Sequence, residues 1–164
     1  MHNPPPARLA SVFTRAEWDL LVRLPGQVVI AATSAEADSP SRTVAEGLAG
    51  IDAIAAGLDS ANPLVRSVVG AIYAEEDEDA PTAEEFADRA AGLASVITSC
   101  RHAGAVLEAR CDPADSRAFR DWLTMIAARV CEASRSGGLL GVGGVQISAA
   151  ERRFLSDMTA AFDG

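Results

Sequence analysis

The chain has 164 residues, room for one domain with a sizeable core, and its 49% apolar, 23% charged composition is that of a globular protein. All 14 basic residues are arginine, which excludes Schiff-base, P-loop and kinase-lysine chemistry. The formal charge of −9 argues against nucleic acid and against an anionic membrane surface, both of which require a basic stripe.

The N-terminus, His2-Asn3-Pro4-Pro5-Pro6, lacks the basic start and apolar run of a secretory signal, so a cytoplasmic location is expected. Three consecutive prolines favour an extended, solvated segment, and residues 1–12 are read as a flexible Pro-rich arm. Residues 13–164 then form a single helical domain. Its first helix opens at Thr14-Arg15-Ala16-Glu17, a capping box in which hydroxyl and carboxylate satisfy each other's orphan amides. Phe13 and Trp18 have the spacing of a hydrophobic staple. A second helix is expected to start with Pro25 in its first turn, where the missing amide is not needed, and to reach about Thr33.

Ser39-Pro40 opens the next helix, with Val44, Leu48, Ile51, Ala55 and Leu58 spaced 4-3-4-3 along one face that is expected to meet the core. The interleaved small residues Ala45, Gly47, Gly50, Ala53, Ala56 and Gly57 predict close helix approach on at least one face. Asn62-Pro63 is a cap followed by proline, leading into Leu64, Val65, Val68, Val69 and Ile72. Thr82-Ala83-Glu84-Glu85 reads as a second capping box. It is expected to start a long helix to Arg110, with Phe86, Ala90, Leu93, Ile97, Cys100, Gly104 and Leu107 on one face and a kink or break near Gly104. Asp112-Pro113 repeats the cap-proline device before the stripe Phe119, Trp122, Leu123, Ile126 and Val130, which must face a core. Ser148-Ala149-Ala150-Glu151 opens the last helix. No strand is expected, so the fold class is an all-α, single-domain bundle of about six to eight helices. No run of 18 or more apolar residues marks a membrane span.

Three cysteines are present, an odd number with no C-x-x-C pair. Cys100 and Cys111 on one helix stand about 16 Å apart at 1.5 Å per residue. A disulfide needs α-carbons within about 7 Å, so reduced thiols are expected.

Two stretches invite a chemical reading. Residues 75 to 89 hold eight acids and one arginine, a local −7 of the total −9. Such a cluster suits a hard cation, yet the alternating acids, mid-loop glycine and closing glutamate of an EF-hand do not occur. A solvated acidic loop before a helix N-terminus accounts for it as well. Asp77, Asp79 and Glu151 are the candidate metal ligands. The second stretch is Ser136 to Val145, whose Gly137, Gly138, Gly141, Gly143 and Gly144 form a candidate loop site for an anion. It follows a helix, and neither the G-x-G-x-x-G spacing nor a lysine is present, so helix capping with Leu139 and Leu140 tucked inward explains the same residues.

No catalytic constellation is visible. G-x-S-x-G and H-E-x-x-H are absent, and Cys100 and His102 diverge by about 200° on a helix. No residue is assigned a catalytic or cofactor-binding role, and no cofactor is expected.

The pattern F-x-x-W-L (Phe119, Trp122, Leu123), A-x-x-V-x-E-A-S (Ala127 to Ser134), G-G-L-L-G-V-G-G-V and S-x-x-E, with F-T-x-x-E-W at Phe13 to Trp18, resembles small uncharacterised bacterial all-helical proteins. More distantly, helix, glycine loop, S-x-x-E and helix is similar to the tellurite-resistance TerB-like domains. That resemblance implies a stress-associated all-α module, some members of which hold metal through acids at helix ends. Their loop usually reads aspartate-glycine where this chain has Ser136-Gly137, so only Ser148 and Glu151 carry over.

These readings lead to a non-enzymatic, cytoplasmic helical interaction or accessory protein, whose partner is another protein or a second copy. The alternatives are a metal-binding TerB-like module and a small-ligand-binding or hydrolytic bundle with an apolar cavity lined by Leu139, Leu140 and Trp122.

Overall fold

The computed structural model describes residues 9–35, 40–74, 87–136 and 147–164. Within them, six α-helices share one core: α1 (Arg15–Ser34), α2 (Pro40–Ala55), α3 (Pro63–Ala74), α4 (Arg89–Arg110), α5 (Pro113–Ser136) and α6 (Ala149–Asp163). A 3-10 turn, Ala56–Asp59, continues α2. No strand occurs among the described residues, and none of their helices is long and apolar enough to cross a membrane.

Local chemistry sets the helix starts. At α1, Glu17 N–H donates to Thr14 Oγ1 (3.2 Å) and Thr14 N–H donates to Glu17 Oε2 (2.8 Å). The Phe13 and Trp18 rings meet at 5.8 Å beside this box, completing the staple. Residues 1–8 of the expected arm lie outside the described residues. Its end forms a turn in which the Leu9 and Ala10 carbonyls accept from Val12 and Phe13, and Phe13 is buried. Asn62 Oδ1 caps α3 through the Leu64 and Val65 amides (3.0 and 3.2 Å), while its Nδ2 donates to Asp115 in the first turn of α5 (2.7 Å). One side chain thus starts a helix and ties it to another.

Two expected boundaries are corrected. Pro25 does not begin a separate helix but lies inside α1, so two predicted segments are one. An interior proline costs about 3 kcal/mol in isolation. Here Leu21, Leu24, Val28 and Ala31 are wholly buried on both sides of it, and that packing outweighs the lost backbone bond. The helix predicted from Thr82 has its described start at Arg89, after the bend at Ala87 and Asp88. Asp88 Oδ1 accepts from Ala91 N–H (3.1 Å) and is the cap; the Thr82 box itself lies outside the described residues.

The core is built on α5. Phe119, Leu123, Ile126 and Val130 are wholly buried and Trp122 nearly so, as their spacing requires. α2 lies along α5, α6 along α4, and α1 against both α4 and α5. Gly104 neither breaks nor ends α4. A β-carbon there would stand 3.2 Å from the Phe162 carbonyl oxygen, so the glycine lets the α6 backbone close on α4.

Candidate functional site: an apolar face on α2

The 4-3-4-3 face of α2 does not meet the core, which corrects the expectation from its spacing. Val44, Leu48, Ile51 and Leu58 are 63%, 58%, 56% and 48% exposed, while Glu46, Gly50, Ala53, Ile54 and Gly57 face inward. Small residues explain the reversal. A β-carbon on Gly50 would come within 2.5 Å of a Val29 methyl on α1 and 3.2 Å of Val130 on α5. One on Gly57 would lie 2.7 Å from Val69 and 2.9 Å from the Trp122 ring. Trp122 Nε1 donates to the Ala53 carbonyl (3.3 Å), so the indole sits directly under this helix. The backbone of α2 is therefore in near contact with its neighbours, and its larger side chains fit only on the far side. Of the predicted small residues, Gly50, Ala53 and Gly57 serve this approach, whereas Ala45 is exposed and Gly47 has open space beside it.

The outward face is regular. Val44, Leu48 and Ile51 stand on α2 itself and Leu58 on the 3-10 turn that continues it. With half-buried Ala55 between them they repeat with the seven-residue period of a coiled-coil seam. Asp52 and Asp59, also exposed and one heptad apart, border it, and no basic residue occurs from Thr43 to Val65. A monomer's scattered surface aliphatics need no explanation, and a contiguous aligned set is a candidate contact surface.

A concave feature, a cleft of about 840 Å³, lies where α4, α5 and the end of α6 converge. Arg101, Arg117 and Arg120 line it together with Glu108, Asp121 and Asp163, so positive and negative charges balance. Arg120 is held inside, 3.6 Å from Asp163 and 5.9 Å over the Phe162 ring. The cleft's Thr124 and Thr159 hydroxyls donate to the Arg120 and Leu155 carbonyls within their own helices. Cys111 also lines it, but burial and the nearby Asp115 and Asp112 carboxylates push its thiol up to about 11. No histidine is among the lining residues. The arrangement can hold a polar group by charge.

The sequence-derived candidates fall elsewhere. Asp77 and Asp79 lie outside the described residues, as do Gly137, Gly138, Gly141, Gly143, Gly144, Leu139 and Leu140. Glu151 is buried and closes the α6 capping box: its Oε2 accepts from Ser148 N–H (2.9 Å) and its own N–H donates to Ser148 Oγ (3.1 Å). Among the described residues no three histidine, cysteine or acidic side chains are grouped to hold a metal ion. Trp122 packs beneath Gly57. His102 is on the solvent side of α4, and Cys131 is buried. Burial alone pushes the Cys100 thiol up to about 12, leaving it neutral and unreactive at physiological pH.

The exposed face was written in the sequence as a stripe, but its direction was not. The available signal was the run of glycine and alanine on the opposite side, which already predicted close approach. No family model matches the chain, and no curated protein and no solved structure matches it.

Proposed function

We propose that this protein is a non-enzymatic, cytoplasmic interaction or accessory domain that binds a protein partner through the outward face of α2. The single observation behind the reading is the set Val44, Leu48, Ile51 and Leu58, all about half exposed along α2 and the 3-10 turn that continues it, whose other side is packed. Water contact with this line is unfavourable by roughly 25 cal/mol for each Å² of apolar surface, so covering it is a driving force for association. The bundle supplies rigidity, since α2 is fixed by backbone-close contact at Gly50 and Gly57.

A photo-crosslinking amino acid placed at Ile51 in the native host tests this. One discrete protein adduct at position 51, absent when the same group replaces exposed Arg153, is the expected result. A crosslink to the chain itself identifies self-association. No adduct at position 51, or the same adducts at both positions, overturns the reading.

A further inference from the structure

Resting on the reading of α2 as a docking face, we infer that its occupant is a basic amphipathic helix and not a second copy of this chain. The heptad repeat of Val44, Leu48, Ile51, Ala55 and Leu58 is the surface a helix covers best, because knobs spaced 4-3-4-3 fit the holes of another helix. The size of the face limits how tightly it can hold any partner. Aromatic side chains bury about 150–250 Å² each, so four smaller, half-exposed aliphatic ones offer under about 500 Å². A stable interface of either kind buries about 800 Å² per partner, so this face suits reversible docking. Charge speaks against a second copy: two copies would bring together chains of −9 each, with Asp52 and Asp59 bordering both faces. A partner carrying lysine or arginine beside its apolar seam turns that repulsion into attraction. Between Arg42 near the start of α2 and Arg66, which donates to the Ser60 carbonyl, no basic residue intervenes, so Asp52 faces a partner's cation without a basic residue of this chain beside it in sequence.

The test uses two fluorescent three-heptad peptides with leucine at the seam positions, one with lysine and one with glutamate at the flanking positions. Binding to the full chain is read by anisotropy at low and moderate salt. The lysine peptide is expected to bind at least about tenfold more tightly than the glutamate peptide, with affinity falling as salt rises. Ile51→Asp separates docking from bulk attraction, because it adds a negative charge while interrupting the seam. Docking predicts at least about tenfold weaker binding of the lysine peptide, and nonspecific attraction predicts equal or tighter binding. Asp52→Asn with Asp59→Asn is expected to weaken the lysine peptide severalfold and leave the glutamate peptide unchanged or improved. Leu48→Gln, equally exposed, repeats the seam test, with circular dichroism melting as the check that each variant is folded. Equal binding of the two peptides, or full binding by Ile51→Asp, overturns the inference. Were that to happen while position 51 still crosslinked a protein in the host, the docking face would stand and only the partner's chemistry would fall.

Discussion

Two neighbouring helices, α2 and α5, carry large apolar residues at helical spacing, and they turn them in opposite directions. On α5, Phe119, Trp122, Leu123, Ile126 and Val130 point into the core; on α2, Val44, Leu48, Ile51 and Leu58 point away from it. The difference lies in what occupies the rest of each helix. α2 alternates its aliphatics with glycine and alanine, so a small face exists that can be pressed against Val29, Val130 and Trp122. α5 has two aromatic rings, which meet edge-on at 5.8 Å and need the centre of the bundle for their volume. Once α5 fills the core, only a thin helix face fits over it. A stripe in a sequence therefore states that some surface seeks cover, and it does not state whether that cover is the protein's own.

The sharpest way to break this contrast is to truncate both stripes. Phe119→Ala should cost about 3–5 kcal/mol in urea unfolding, since the ring is wholly buried. Leu48→Ala should stay within about 0.5 kcal/mol of the parent, as exposed substitutions do. Equal losses would show that the α2 face is covered within the monomer. The small face gives the next effect. Gly57→Ala should destabilise by about 1–3 kcal/mol, because the Trp122 ring and Val69 leave no room and the indole is tethered to Ala53. Gly47→Ala, with nothing within 4 Å of its β-carbon, should instead be neutral or stabilise by up to about 1 kcal/mol. Thermal melting of the pair reads both signs.

The smallest effect concerns the seam between α1 and α4. Thr14's backbone amide and the Arg110 guanidinium hold the Glu17 carboxyl below its ordinary 4.5. A lowered folded-state value means the charged form is the one favoured by folding. Its contribution is whole above pH 4.5 and fades as the pH falls through the lower folded value. Glu17→Gln should therefore melt slightly below the parent at neutral pH, and the gap should close in acid. A gap that is constant with pH would remove the carboxylate's charge from the account.

The helix starts were largely legible. Thr14 with Glu17, Asn62, Asp112 and Ser148 with Glu151 all make the cap contacts their spacing announced, because a cap is a contact within three residues. Pro25 was not read correctly, since packing carries α1 across the proline; Asp88, whose cap on Ala91 is as local as the others, was passed over for the Thr82 box. The candidate site was legible in its residues and hidden in its direction. Ile51 beside Gly50 looks the same in a sequence whether the isoleucine or the glycine side is covered. The cleft was not legible, because Arg101, Arg117 and Arg120 on α4 and α5 meet Asp163 only after α6 folds back.

By itself the sequence determined that this chain is helical, where most helices begin, and that α5 supplies the core, all consequences of short-range hydrogen bonding and of side-chain volume along one helix. Only the tertiary structure decided which side of α2 is buried. Burial is a property of two surfaces at once, and the close approach at Gly50 and Gly57 exists only when Val29, Val130, Val69 and Trp122 have arrived from elsewhere in the chain.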